Sequence, residues 1–192
     1  MKYSILITIF FISTTAFCQT PADINKAIGL PDSLSYVREI RVYKDRGTSN
    51  YAPVFRFYEY EEGKWKAELY NYFVGGKNAK TDITSSKDLN YIWNDILNDH
   101  ILVMPNQDKI AYKLEFPSEI IVEDGKYNSI VRHVTIMDGA EYEIFIRSGA
   151  KQNHINYSNP ESYLKHFPGV DELESVVVLI NIIRNDFNIW KK

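Results

Sequence analysis

The side chains able to do acid–base, nucleophilic or metal chemistry are scattered along this chain. The histidines are His100, His133, His154 and His166. No two stand four residues apart on a helical pattern, and no His-Glu-x-x-His is present, so no metal site is expected. His133 falls on an expected strand opposite Ile144, where a hydrogen-bonded core histidine is the reading. Ser162-Tyr163-Leu164-Lys165 matches Ser-x-x-Lys by spacing. It lies at a helix start without the companion motifs of such enzymes. Carboxylates gather at Glu59/Glu61/Glu62, Glu141/Glu143 and Asp171/Glu172/Glu174. Glu141 and Glu143 share a strand face, about 7 Å apart by strand rise, a spacing compatible with glycoside hydrolysis. Arg132 and Arg147 are expected on that face too, so a solvated charge ladder is the simpler account. The turn and the helix start explain the other two groups. No phosphate-binding glycine loop occurs. No catalytic residue, metal ligand or cofactor is therefore assigned.

The surface best suited to contact is the outer face of the first hairpin. Residues 54–60 and 64–73 alternate around Glu61-Glu62-Gly63, where Gly63 suits a turn with positive φ. The register sets Tyr58 opposite Lys66, Arg56 opposite Glu68 and Tyr60 opposite Lys64. Phe55, Phe57, Trp65, Ala67 and Leu69 then share the inner face. Arg56, Tyr58, Tyr60, Lys66, Glu68 and Tyr70 share the other, where tyrosine and arginine offer contacts to a protein or glycan ligand. That reading requires Tyr58, Tyr60 and Tyr70 to be solvent-exposed.

The elements that must carry these groups are legible from spacing. Thr20-Pro21 opens a short helix that Gly29 closes. Tyr36 to Lys44 reads as a strand with Ile40 and Val42 on one face. Residues 75–82 read as a polar loop. Ser85-x-x-Asp88 resembles a capping box for a helix over about 85–99, with Leu89, Ile92, Trp93, Ile96 and Leu97 at helical spacing. Ile110, Tyr112, Leu114 and Phe116 alternate as a strand, and Ile120 to Val122 is a short one before Asp124-Gly125. Residues 129–137 and 140–147 read as a second hairpin around Asp138-Gly139. His154 to Ser158 suggests one more strand. Helices follow at 160–166 and 171–188. The second carries an apolar stripe at Leu173, Val176, Val177, Ile180, Ile183 and Phe187, widened by Val178, Leu179 and Ile182. Hairpin-joined strands with few helices predict an α+β fold: a largely antiparallel sheet with helices mainly on one face.

Residues 1–18 read as a secretory signal peptide. Lys2 precedes the apolar run Ile5 to Ile12, and Ala16-Phe17-Cys18 makes a small-x-small cleavage site before Gln19. Phe17 and Thr15 stand where a lipobox needs a small and an aliphatic residue, so ordinary cleavage is expected over lipidation. Residues 19–192 then form one domain without cysteine, which excludes disulfides and thiolate chemistry. The whole chain has 22 basic and 25 acidic residues, and no basic cluster points to nucleic acid. No later apolar run is long enough to span a membrane.

The stretches Asn159-Pro160-Glu161-Ser162-Tyr163, Val170-Asp171-Glu172-Leu173 and Asp186-Phe187 resemble a set of uncharacterised secreted proteins of Bacteroidetes-type bacteria. Val54-Phe55-Arg56 and Trp65-Lys66-Ala67-Glu68 are similar too, as is cleavage after Cys18. The resemblance implies a periplasmic, outer-membrane-associated or secreted location, and it transfers no activity and no catalytic residue. The expected function is exported, non-enzymatic binding or interaction with an unknown protein or glycan. The alternatives are an envelope hydrolase with a carboxylate-based site and a structural or immunity-type protein with one protein partner.

Overall fold

The first hairpin forms as its alternation requires, and the sheet grows outward from it. The computed structural model describes residues 19–45, 49–132, 134–136 and 139–191. The signal-peptide reading of residues 1–18, with Cys18, lies outside the described residues, as do His133 and Asp138. The strands are β1 (Arg38–Lys44), β2 (Tyr51–Glu61), β3 (Lys64–Phe73), β4 (Ala79–Ile83), β5 (Glu119–Glu123), β6 (Lys126–Ile130), β7 (Glu141–Ser148) and β8 (Lys151–Ser158). The helices are α1 (Pro21–Ile28), α2 (Leu89–Asn98), α3 (Pro160–His166) and α4 (Asp171–Asp186), with a 3₁₀ helix over Gln107–Lys113. The main sheet runs β4-β3-β2-β1-β7-β8, every neighbour antiparallel, and β5–β6 is a separate two-stranded hairpin. The fold is α+β.

The inner face of the main sheet builds the core. Ile40 and Val42 of β1 meet Phe57 and Phe55 of β2 in register. Ala67, Tyr142, Ile144 and Ile146 extend the layer. Ile92, Trp93 and Ile96 of α2 and Leu173, Val176, Ile180 and Ile183 of α4 close over it, as helical spacing requires. Val178 is exposed, so the stripe on α4 is narrower than expected.

Several elements differ from expectation. Asp88, not Ser85, caps α2: its Oδ1 accepts from the Tyr91 N–H at 2.8 Å, while Ser85 Oγ accepts from the Lys87 N–H. A carboxylate answers the helix N-terminus with charge as well as a lone pair. Tyr60 does not oppose Lys64. It sits in a bulge between Glu59 and Glu61, where Glu59 Oε1 accepts from the Gly63 N–H at 2.8 Å and Gly63 takes φ 72°. The polar residues 79–83 form β4 on the outside of β3. Ile110 to Phe116 is no strand: only Ile110 is buried, and the chain passes as a 3₁₀ turn across the end of β8. The expected second hairpin divides in two. Asp124-Gly125 joins β5 to β6, and Gly149-Ala150 joins β7 to β8. With β1 on one side and β8 on the other, β7 has no free edge for a further strand.

The core assignment has a direct check. Trp93→Ala and Ile180→Ala are expected to destabilise the fold by about 2–5 kcal/mol each, as cavity-forming changes. Val178→Ala, on the same helix but outward, is expected to stay within about 0.5 kcal/mol. Denaturant midpoints of the three variants measure it, and equal effects would mean the α4 face is misassigned.

Candidate functional site

The outer face of the first hairpin is closed, and this corrects the expectation of an open contact surface. Arg56, Tyr58, Glu68 and Tyr70 are buried; of the six expected contact residues only Tyr60 and Lys66 reach solvent. The register Tyr58–Lys66 and Arg56–Glu68 is as expected, so the face was sorted correctly. Its cover comes from α1 and from the segment 30–36 that follows.

Two kinds of contact seat that cover. Toward the hairpin's open end, Ile24 and Leu30 pack on Tyr43, Ala52, Val54 and Tyr70. Tyr43 donates its hydroxyl to Asn25 Oδ1 at 2.6 Å. Toward the turn the contact is ionic. Glu39 and Arg41 of β1, with Glu68 of β3, are each at most 1% exposed. Glu39 Oε1 accepts from Arg41 Nε at 2.7 Å and Arg56 Nε at 2.8 Å. Its Oε2 accepts from the backbone N–H groups of Ser35 at 2.6 Å and Tyr36 at 2.9 Å. Arg41 donates to the carbonyls of Pro31 and Ser33. Tyr36 stacks on Tyr58 at 4.4 Å, and the Arg56 guanidinium lies 4.3 Å from the Tyr58 ring centre.

Glu68 gathers the rest. Tyr58 donates to its Oε1 at 3.0 Å and Tyr70 to its Oε2 at 2.7 Å. Lys80 Nζ approaches to 2.7 Å and Lys66 Nζ to 3.3 Å. Burial pushes the Glu68 carboxyl up, but the hydrogen bonds from Lys80, Tyr70 and Tyr58 outweigh it and hold it down at about 2. Burial likewise opposes ionisation of Glu39, and Arg56 and Arg41 reverse it, leaving that carboxyl below its usual range. Burial and the Glu68 carboxylate push the hydroxyls of Tyr58 and Tyr70 up. These tyrosines are structural donors, not ligand contacts.

The other sequence candidates also find partners. Glu143 Oε1 lies 2.8 Å from His154 Nε2, and the His154 ring stacks on Phe145 at 4.0 Å. Glu141 Oε1 accepts from Asn156 Nδ2 at 2.9 Å. Arg147 shares this face by alternation, as expected, but donates to the Leu34 carbonyl at 2.8 Å, and Arg132 pairs with Glu119 at 2.8 Å. Glu172 binds Lys113 through both oxygens. Ser162 lies in the first turn of α3, its N–H donating to the Asn159 carbonyl. Among the described residues no group of three or more His, Cys, Asp or Glu side chains is placed to hold a metal ion. Among the described residues no helix is long and apolar enough to cross a membrane.

Two features remain open, and sequence reading did not single them out. The β5–β6 hairpin stands apart from the main sheet with Ile120 72%, Val122 62% and Tyr127 81% exposed. Ile120 pairs with Ser129 and Val122 with Tyr127, so the three apolar side chains share one face. A cavity of about 580 Å³ lies at the hairpin's foot, lined by Leu114 before it, Val134 after it, and Asn106, Gln107, Asn156 and Tyr163. The run Ile120 to Val122 was visible as a strand; what does not pack on it was not.

The ionic cover makes a pH prediction. Glu68 titrates lower in the folded protein than at its ordinary 4.5, so its stabilisation is complete above 4.5 and lost as pH falls through that value toward about 2. The denaturant midpoint of the protein is expected to drop over that window, and the drop to be smaller in Glu68→Gln. Glu39→Ala leaves Arg41 with only the Pro31 and Ser33 carbonyls and Arg56 with only Glu68 at 3.6 Å, and is expected to cost about 3–5 kcal/mol. A loss near zero would mean the network is solvated.

No protein-family model matches the chain, no curated protein matches it, and no solved structure matches it.

Proposed function

We propose that this chain is an exported, non-enzymatic interaction protein that engages a partner protein through the β5–β6 hairpin. The observation that carries this reading is the apolar face of Ile120, Val122 and Tyr127 on a hairpin that is not part of the main sheet. An isolated two-stranded hairpin is marginal in water, and a contiguous exposed apolar face is the usual mark of a contact site. A protein is the fitting occupant. Glu119, Glu123 and Asp124 stand on this hairpin against one Lys126, so an anionic lipid surface would be repelled. Tyr127 supplies a rigid amphipathic anchor of the kind that dominates protein contacts.

Other observations support a binding role over chemistry. Glu141 and Glu143, the pair a carboxylate hydrolase would use, are engaged by Asn156 and His154. An envelope structural or immunity-type role would use the same hairpin. Export is supported by the signal-like residues 1–18.

Site-specific photo-crosslinking from position 127 in the producing cell identifies the partner, with exposed position 178 on α4 as the control. The purified partner is expected to bind Ile120→Ser/Val122→Ser/Tyr127→Ser at least about tenfold more weakly than wild type, a loss of about 1.4 kcal/mol. The denaturant midpoint should not change, because these side chains touch no core. Equal affinity, or equal crosslinking from both positions, would remove the hairpin as the contact site. Export has its own readout: the intact mass of the exported protein should correspond to a chain beginning at Gln19 with no lipid.

A further inference from the structure

We infer that the cavity at the foot of the hairpin is a separate binding site for a neutral, hydroxyl-rich ligand, a short saccharide. The inference begins with β8, an edge strand whose outward N–H groups need acceptors. Two side chains from the chain just before and inside the 3₁₀ helix supply them. Asn106 Oδ1 accepts from the Asn156 N–H at 2.8 Å, and Gln107 Oε1 accepts from the Ser158 N–H at 2.6 Å.

These two bonds fix which way each amide faces. With both oxygens committed to β8, the two NH₂ groups have no partner among the described residues, and both residues line the cavity. A pair of oriented donors therefore borders a space of about 580 Å³, within the ordinary range of small-molecule sites. Acceptors stand beside them: the carboxylates of Asp108 and Glu115 line the same space. Leu114, Ala111 and Val134 form an apolar wall.

The lining selects by charge and by hydrogen-bonding type. Among the described residues it contains no lysine or arginine and two carboxylates, of which Asp108 pairs with Lys109 at 3.3 Å and Glu115 has no such partner, so an anion is disfavoured. A simple cation would meet the two amide donors, which it cannot answer. A hydroxyl both donates and accepts, so a polyol satisfies amides and carboxylates together. The carbon face of a sugar ring suits the apolar wall, as small-ligand sites pair an apolar lining with a few fixed polar groups.

The test exploits the split role of the amides. Asn106→Asp and Gln107→Glu keep the oxygen that β8 requires and remove the NH₂ donor. Ala111→Phe fills the cavity from the exposed side of the 3₁₀ helix without touching β8. The full mature chain is titrated with maltose, cellobiose, lactose and mannobiose, and with glucuronate and glucosamine as charged comparators. Concentrations reach about 10 mM, where a millimolar site is close to saturated. The side-chain amide resonances of Asn106 and Gln107 report binding directly.

At least one neutral disaccharide is expected to shift both amide resonances. The Asn106→Asp/Gln107→Glu double variant and Ala111→Phe are each expected to weaken that saccharide by about tenfold or more, at an unchanged denaturant midpoint. The hairpin triple variant should bind the sugar as wild type does, which separates this site from the protein contact. The inference is overturned if no neutral disaccharide shifts the resonances, if a charged comparator binds as tightly, or if a folded donor-less variant binds unchanged.

Discussion

The Glu39 carboxylate is the constraint around which the outer half of this molecule is organised. A charge taken wholly out of water is tolerated only when its lone pairs are answered. Glu39 meets that condition by joining three pieces of chain: Arg41 beside it on β1, Arg56 on β2, and the N–H groups of Ser35 and Tyr36 in the covering segment. The exchange runs both ways. Segment 30–36 has no regular structure to satisfy its own backbone, and Arg41 and Arg147 donate to its carbonyls at Pro31, Ser33 and Leu34. The sheet charges need the segment, and the segment needs the sheet charges. Helix α1 is held over Tyr43 and Val54 by this same connection, because the segment that leaves α1 is tied down.

That reciprocity explains what sequence could and could not convey. The alternation from Val54 to Tyr70 places each side chain on its face, because a period of two leaves no intermediate choice. It contains no information about what lies above that face. Arg56, Glu68 and Tyr58 produce one pattern whether water or a strap of chain covers them. A usable signal did exist: Glu39 and Arg41 repeat the charged alternation on β1, so complementary charges stand on three adjacent strands. A solvated face does not require such matching, whereas a buried one does. The misassigned elements share a cause. Ile110 to Phe116 alternates as a strand should, but Asn106 and Gln107 are needed as side-chain acceptors at the end of β8, and the chain crosses that end as a turn. The hairpin expected around Asp138-Gly139 would need an edge of β7, and β1 and β8 occupy both. Local pattern proposes pairs, and the available edges decide among them.

The same accounting of edges indicates where a partner can act. At one end of the main sheet β8 has its N–H groups at Asn156 and Ser158 taken by side chains, so another chain cannot add there without displacing them. At the other end β4 is five residues long and carries Lys80 and Asp82, whose charges are tied to Glu68 and Lys66. Short, charged or capped edges are how sheets resist uncontrolled pairing.

Against those guarded edges the β5–β6 hairpin stands out physically. Its backbone edges carry no comparable caps among the described hydrogen bonds except Arg132 on Glu119, which is a side-chain pair and leaves the strand open. A fold that covers Tyr58 and Tyr70 with buried charge, and blunts both ends of its main sheet, guards against unintended contacts. The apolar triplet on the hairpin departs from that pattern as a contiguous group, whereas Val37, Val103 and Tyr112 are exposed elsewhere in the chain. Ile, Val and Tyr suit any strand, so it is their contiguity on one uncovered face, not their presence in β5 and β6, on which the proposed contact rests.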